Sequence, residues 1–186
     1  MTTWFRLSAF PRHKDVRLPI MICQDGFITS HAVENIELLE DADVKNFVGE
    51  YEPEDYLLNP ECPMAVGPYS ITDYYMEAKR NQAEGTRNVS RVVKEVAEDF
   101  EKLSGRKYGL FEEYRMEDAE RAVVIIGSAA GTTKDAVDRL REQGEKVGLI
   151  KIRLFRPFPA DEIAEALKNV KAIAIMDRAE SYTNHG

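Results

Sequence analysis

Cysteine is nearly absent. Cys23 and Cys62 are the only two in 186 residues, and neither belongs to a C-x-x-C pair. That excludes a disulfide framework, and it excludes a zinc or iron–sulfur centre built from this chain alone. The same scarcity points to a reducing, cytoplasmic compartment. Positive charge is also short: 25 Lys and Arg stand against 33 Asp and Glu, a formal net charge of -8. No basic stripe is visible, which argues against a nucleic-acid binder and for a soluble acidic surface. Long apolar runs are missing as well. AVVIIG and AIAIM are too short to cross a bilayer. The opening MTTWFRLSAFPRH has neither a continuous apolar stretch nor a small-residue cleavage site, so no secretory signal is read there.

What is present is an ordinary globular composition, 44% hydrophobic and 31% charged, long enough for one domain or one and a half. Residues 1–15 are ambiguous because Pro11 interrupts a weak helical pattern. VRLPIMIC, residues 16–23, reads as a short buried strand, and Asp25-Gly26 follows as a turn. Residues 32–69 read as an extended, acidic connector that packs Phe47, Tyr51, Tyr56 and Leu57 onto something. Ser70 with Asp73 three residues later has the form of a helix cap. Beyond it Val89, Val92, Val93, Val96, Phe100 and Leu103 repeat at helical spacing. Gly85 divides the run into helices over 73–84 and 87–104, and Gly105 supplies the stop.

From residue 119 the period changes. AERAVVIIG is a strand and KDAVDRLREQG a helix, with Thr132 as its cap, Ala136, Val137 and Leu140 as its apolar face, and Gly144 as its end. KVGLIKIRLF is a second strand, RPFPADEIAEALKNV a proline-marked loop and short helix, and KAIAIMDRAE a third strand. That is β-α-β-α-β, and crossover handedness makes the sheet parallel. The fold class is therefore α/β.

Four stretches carry chemistry-bearing residues, and each has a bland reading. In GSAAGT, the residues Gly127, Ser128, Gly131 and Thr132 sit where a strand turns into a helix, a place that holds anions on backbone N–H groups; Thr133 adds a hydroxyl. The spacing is not G-x-G-x-x-G, and small residues at such a turn also serve close packing. In RLFRPFP, Arg153 and Arg156 stand at a strand end, either for a carboxylate or phosphate or in pairs with Asp161, Glu162 or a partner subunit. In MDRAES, Asp177, Arg178 and Glu180 form either a catalytic edge or a local ion-pair set. In DGFITSH, the set Asp25, Thr29, Ser30 and His31 suggests a nucleophile. Adjacent Ser30 and His31 seldom face each other, however, and no G-x-S-x-G elbow exists. The bland reading is a turn in which Asp25 caps, Gly26 takes a positive φ and Thr29 or Ser30 caps the next element. Tyr69, Tyr74 and Tyr75 suit a ligand stack or packing against another domain.

Taken in order, RLPIMICQDGFITSH, GPYSITDYYMEAKRNQAE, AERAVVIIGSAAGTTKDAVDRLREQGEKVGLIKIRLFRPFP and MDRAES resemble the alpha chain of the 2-oxoacid:ferredoxin oxidoreductases, pyruvate:ferredoxin oxidoreductase among them. The resemblance runs from about residue 13 to about residue 180. It implies an oxidoreductase of anaerobic metabolism using thiamine diphosphate, magnesium and iron–sulfur clusters. Such an enzyme splits pyruvate with coenzyme A into acetyl-CoA and CO2 and reduces ferredoxin, reversibly. It implies a cytoplasmic hetero-oligomer with beta, gamma and delta type subunits. It implies three segments: 1–31 as the remnant of a pyrimidine-binding domain, 32–118 as connector and long helix, and 119–186 as an incomplete domain like the C-terminal domain of transketolase. On this reading both ends look cut, and no family catalytic residue falls in the matched part. None of the cofactors is expected on this chain alone, which is expected to be inactive. Strand 16–23 is expected to have lost its sheet, leaving its edges and the connector aromatics exposed. The alternatives are a stand-alone nucleotide- or anion-binding α/β module and a structural interaction module.

Overall fold

A computed structural model of the chain describes residues 16–50, 53, 55–67 and 69–178. The readings placed on Pro11, Tyr51, Glu180 and residues 181–186 fall outside the described residues. The chain divides into two compact units, one of Met1–Ile22 with Glu37–Arg106, the other of Cys23–Ile36 with Lys107–Gly186.

In the first unit the dominant element is a helix. After a one-turn helix α1 (Ile28–His31), which belongs to the second unit, come α2 (Asp41–Val48) and α3 (Tyr75–Ser104). Helix α3 is 30 residues of unbroken helix, about 45 Å at 1.5 Å per residue. Gly85 does not split it. A glycine costs a helix only about 1 kcal/mol against alanine, too little to break so long an element. The glycine has a packing reason instead: a Cβ there would lie 2.9 Å from the Val16 carbonyl oxygen. Val92, Val93, Val96, Ala97 and Phe100 are buried on the stripe that the periodicity marks. Phe47 of α2 meets Phe100 edge-on, with centroids 5.7 Å apart. Gly105 ends the helix at φ 68, its N–H donating to the Glu101 carbonyl.

Three expectations for this unit are corrected. Residues 16–23 form no strand: they run as irregular chain, as Pro19 and the lack of a pairing strand dictate. Ser70 does not cap α3. The helix begins at Tyr75, with Tyr74 at the cap position and no side-chain cap bond. Tyr56 and Leu57 are exposed, which overturns the packing read for them and agrees with the expected exposure of the connector aromatics.

The second unit is an open sheet of β1 (Phe111–Tyr114), β2 (Arg121–Ile126), β3 (Val147–Ile152) and β4 (Ala172–Met176), in the order β1-β3-β2-β4. Strands β3, β2 and β4 are parallel, with Val123 opposite both Leu149 and Ala174. Strand β1, absent from the sequence reading, adds an antiparallel edge with Glu112 opposite Lys151. Its FEEY sequence carries too little alternation to announce a strand. Helix α4 (Ala129–Glu142) joins β2 to β3, and α5 (Ala160–Leu167) carries the chain back across β2 to β4.

The two helices cover opposite faces, as right-handed crossovers in opposite directions require. On the α4 face Ile125, Leu149, Ala130 and Val137 form one core; on the α5 face Val124, Ile150 and Ile163 form another. The alternation follows from the two-residue repeat of a strand. Leu149 and Ile150 are fully buried, each stabilising by roughly 1.5–3 kcal/mol. Helix α4 begins at Ala129, so Thr132 lies inside its first turn rather than at its cap. Its apolar face is turned from the expected one: Ala136 and Leu140 are exposed, while Arg141 lies inward. The Arg141 guanidinium donates to the carbonyls of Val147 (2.7 Å) and Arg115 (2.6 Å) and pairs with Asp118. Arg141 thereby satisfies the carbonyl that opens β3 and one in the loop after β1.

Candidate functional site

The direction of strand order reverses at β2: α4 leads to one side of it, α5 brings the chain to the other. In open α/β sheets ligands favour the carboxyl edge of the strands at such a reversal. Four segments of the second unit carry polar groups there or beside it: the turn after β2, the loop after β3, the tip of β4, and Asp25–His31.

The last of these holds the least expected geometry. Phe27, not Gly26, takes the positive φ, at φ 70 and ψ -61. The Ile28 N–H donates to the Gly26 carbonyl at 3.0 Å. Together these make a γ-turn of the rare, strained kind, a conformation that a phenylalanine holds only when its surroundings over-determine it. The surroundings are on hand. The Phe27 N–H donates to Ser30 Oγ at 2.9 Å, and the Phe27 ring stacks on His31 with centroids 4.9 Å apart. Ser30 Oγ and His31 Nδ1 are hydrogen-bonded at 2.8 Å, so the expectation that these neighbours turn away from each other is corrected. The one-turn helix Ile28–His31 brings the two side chains together. Asp25 does not join them. Its Oδ1 accepts from Arg178 Nη1 at 3.1 Å across 153 positions of sequence. Its Oδ2 is buried with no hydrogen-bond partner among the described residues. Arg178 thus pairs with the distant Asp25, where the sequence suggested an ion-pair set within MDRAES.

The turn after β2 leaves its glycines in open space: a Cβ at Gly127 or Gly131 would meet nothing within 4 Å. Gly127 has φ 85. The Gly131 N–H donates to the Ser128 carbonyl at 3.0 Å, and Thr133 Oγ1 donates to the Ala129 carbonyl at 2.9 Å. Ser128 sits at the cap position without a side-chain cap bond, Ala130 is fully buried, and Gly131 and Thr132 face solvent.

Arg153 is taken by a cluster that the sequence did not reveal. Its Nη2 donates to Glu112 Oε2 at 2.6 Å, and its guanidinium lies 4.6 Å from the centre of the Tyr108 ring. Lys134 of α4 pairs with the same carboxylate. Burial alone would raise the Glu112 carboxyl, but the Lys134 ammonium and the Arg153 guanidinium outweigh it and hold Glu112 below its ordinary range. Lys151, opposite Glu112 in the ladder, is pushed down, first by burial and then by the two neighbouring cations, against the pull of Glu112. Arg153 therefore pairs with the edge strand β1. Arg156 lies over the Phe155 ring, 5.9 Å from its centre. Only a recognised β1 would have exposed this cluster, because Glu112 and Arg153 stand 41 positions apart.

Among the described residues no group of three or more His, Cys, Asp or Glu is placed to hold a metal ion. No helix among them is long and apolar enough to cross a membrane. Both cysteines are free and exposed. A shallow notch of about 220 Å³ lies at the opposite, amino edge of the sheet, lined by Glu120, Arg121, Gly144, Glu145 and Lys146. Its groups pair among themselves, Arg121 with Glu145 and Lys146 with Glu120.

The second unit is therefore of the open, mainly parallel α/β class, with its irregular loops gathered at the carboxyl edge. Comparison with known proteins narrows this. Residues 2–98 match the family of pyruvate flavodoxin/ferredoxin oxidoreductases, thiamine diphosphate-binding part, and residues 119–186 match pyruvate:ferredoxin oxidoreductase core domain II. The chain belongs to the pyruvate:ferredoxin oxidoreductase family. It is 50% identical over 170 residues to the pyruvate synthase subunit PorA of Thermotoga maritima, covering 91% of this chain and 43% of that one. It is 39% identical over 173 residues to the subunit of the same name from Methanothermobacter thermautotrophicus, covering 93% and 45%. The alpha subunit of an NADH-dependent phenylglyoxylate dehydrogenase from Aromatoleum evansii is 39% identical over 178 residues, covering 91% and 43%. A solved 2-oxoglutarate:ferredoxin oxidoreductase from Magnetococcus marinus is similar at 20% identity and a TM-score of 0.45, over 62% of this chain and 18% of that one. The chain spans less than half the length of the curated relatives it matches.

Proposed function

We propose that this chain is part of the alpha subunit of a thiamine-diphosphate-dependent oxidoreductase that cleaves pyruvate with coenzyme A. The products are acetyl-CoA and CO2, the electrons pass to ferredoxin, and the reaction runs in both directions. The observation that carries this reading is the 50% identity, over 91% of the chain, to a pyruvate synthase subunit. The phenylglyoxylate relative shares the chemistry of a 2-oxoacid, so that class is the firmer part of the reading and pyruvate its particular case.

The chain's own residues do not fit the metal groups of such a reaction. Iron–sulfur clusters take several cysteine thiolates, and this chain has two cysteines in all. Magnesium takes a set of oxygen ligands, and the described residues bring no acidic group of three together. Clusters and magnesium are therefore assigned to partner subunits of beta, gamma and delta type, in a cytoplasmic complex. The catalytic groups are assigned to parts of the complex outside these residues. We take 1–31 as belonging to the cofactor-binding domain, 32–118 as connector and long helix, and 119–186 as the transketolase-like domain. The similarity to pyruvate synthase subunits favours this reading over a stand-alone nucleotide- or anion-binding module.

The test is reconstitution. The purified chain is assayed with pyruvate, coenzyme A, thiamine diphosphate and a viologen dye, alone and in the complex with its partner subunits. Reduction of the dye by the complex and none by the chain alone is expected. A complex that turns over no 2-oxoacid overturns the reading.

A further inference from the structure

Around the carboxyl end of β3, three cations gather on one carboxylate. Glu112 accepts from Lys134 at Oε1 and from Arg153 at Oε2, the latter at 2.6 Å, so both of its oxygens are engaged. Lys151 stands opposite Glu112 in the ladder and feels the charges of Glu112, Arg153 and Lys134. Its ammonium nonetheless makes no hydrogen bond or ion pair among the described residues. Arg153 Nε is buried and also lacks a hydrogen-bond partner there. Asp138 of α4 is taken by Tyr114 and Arg115. Three cations against one carboxylate leave an excess of two positive charges. The side chains are mostly buried, that of Arg153 to all but 12%, and buried charge without a partner is costly.

The cations are also held in place. The Arg153 guanidinium lies 4.6 Å from the centre of the Tyr108 ring, and the Lys134 ammonium 5.0 Å from that of Tyr114. Fixed cationic donors with N–H groups to spare are suited to an oxyanion. The charge count narrows which one. A single carboxylate would leave one positive charge over, whereas a phosphate monoester carries roughly -1.5 to -2 at neutral pH and balances the cluster. The carboxyl edge of an open α/β sheet is also where ligands collect.

We propose that Lys151, Lys134 and Arg153 seat the phosphate group of a small molecule. The charge count, the two unpartnered donors and the place of the cluster in the sheet carry this, and none of them draws on the reaction proposed above. Burial, with the two neighbouring cations, pushes the Lys151 ammonium down against the pull of Glu112. With the seat empty this amine is therefore open to acylation, and a bound phosphate restores its charge and shields it.

The test reads that shielding. In the chain assembled with its partner subunits, lysines are acetylated with acetic anhydride and the extent at each is measured by mass spectrometry. Inorganic phosphate at about 10 mM should slow acetylation of Lys151 roughly fivefold by occupying the seat, while the exposed Lys168 keeps its rate. Phenyl phosphate should act like inorganic phosphate, and sodium chloride at matched ionic strength should protect neither lysine. In Lys134→Gln one cation is gone, so half-protection of Lys151 should need roughly fivefold more phosphate; the parent measurement stands whether or not this variant folds. Acetylation of Lys151 that ignores phosphate, or that chloride slows equally, overturns the proposal. So does a Lys151 that resists acetylation with and without phosphate, or one that a carbodiimide joins to an Asp or Glu, because a protein carboxylate then fills the place. An unchanged phosphate requirement in a folded Lys134→Gln counts against it as well.

Discussion

At the scale of single residues, Gly148 and Glu112 decide how β3 is seated. A Cβ at Gly148 would lie 2.5 Å from Met116 Sδ and 2.8 Å from the Arg115 carbonyl oxygen. The methionine can swing; the backbone oxygen is held, because Arg141 donates to it. Gly148→Ala should cost about 2–3 kcal/mol by overpacking, read as a lower urea midpoint with an unchanged slope. Glu112 bears on pH. Its carboxyl is held below its ordinary value in the folded chain, so the unfolded chain binds the proton more readily. The contribution is therefore complete above the ordinary glutamate range and is lost as pH falls below it, through the depressed value. Urea midpoints measured from pH 6 to 3 (roughly the window of glutamate titration) should fall more steeply for the parent chain than for Glu112→Gln. Parallel curves for the two would remove Glu112 from this role. Little of this was legible beforehand. Gly148 reads as an ordinary residue of an apolar run, and its need for smallness comes from a loop 33 positions earlier. Phe27 is the sharper case. No residue preference announces a phenylalanine at positive φ, whereas Gly26 beside it would be the natural choice.

At the scale of elements, the amphipathic segments were legible and the bare ones were not. The valine stripe of α3 and the two apolar strands β2 and β3 follow from periods of 3.6 and 2, which local sequence carries. Strand β1 exists because β3 offers it an edge, and residues 16–23 run as irregular chain that pairs with no strand of the described residues. Gly85 tests how α3 is held. Alanine should favour the isolated helix by up to about 1 kcal/mol, yet its Cβ meets the Val16 carbonyl at 2.9 Å. Gly85→Ala should therefore lower the thermal midpoint of the chain. A rise in the midpoint would mean that the Val16 segment moves aside.

At the scale of the whole chain, β4 is the open flank. All five of its residues are exposed, Ile175 by 79%. Among the described residues its outer edge is unpaired, and an apolar, unpaired edge recruits other strands. The chain by itself should self-associate as its concentration rises, and Ile175→Lys should suppress this in sedimentation velocity without altering the helical signal. Equal association of both would place the sticky surface elsewhere. The candidate site was only partly readable because its partners lie far apart in sequence. Arg178 and Asp25 are each unremarkable in sequence, and they meet only because β4 and the Asp25–His31 loop belong to one unit.

By itself the sequence determined the order β-α-β-α-β, the parallel sheet, the stripe and stop of α3, and the family. Hydrophobic period, turn residues and long ordered motifs are all local in the chain. Tertiary structure alone decided the antiparallel edge, the turned face of α4, the capture of Arg153 by Glu112 and the strained turn that joins Ser30 to His31. The first three depend on which distant groups are left to be satisfied when the chain closes on itself, since a buried donor or acceptor takes whatever partner the fold brings within reach; the turn is held by contacts of Phe27 with Ser30 and His31 close by in the chain.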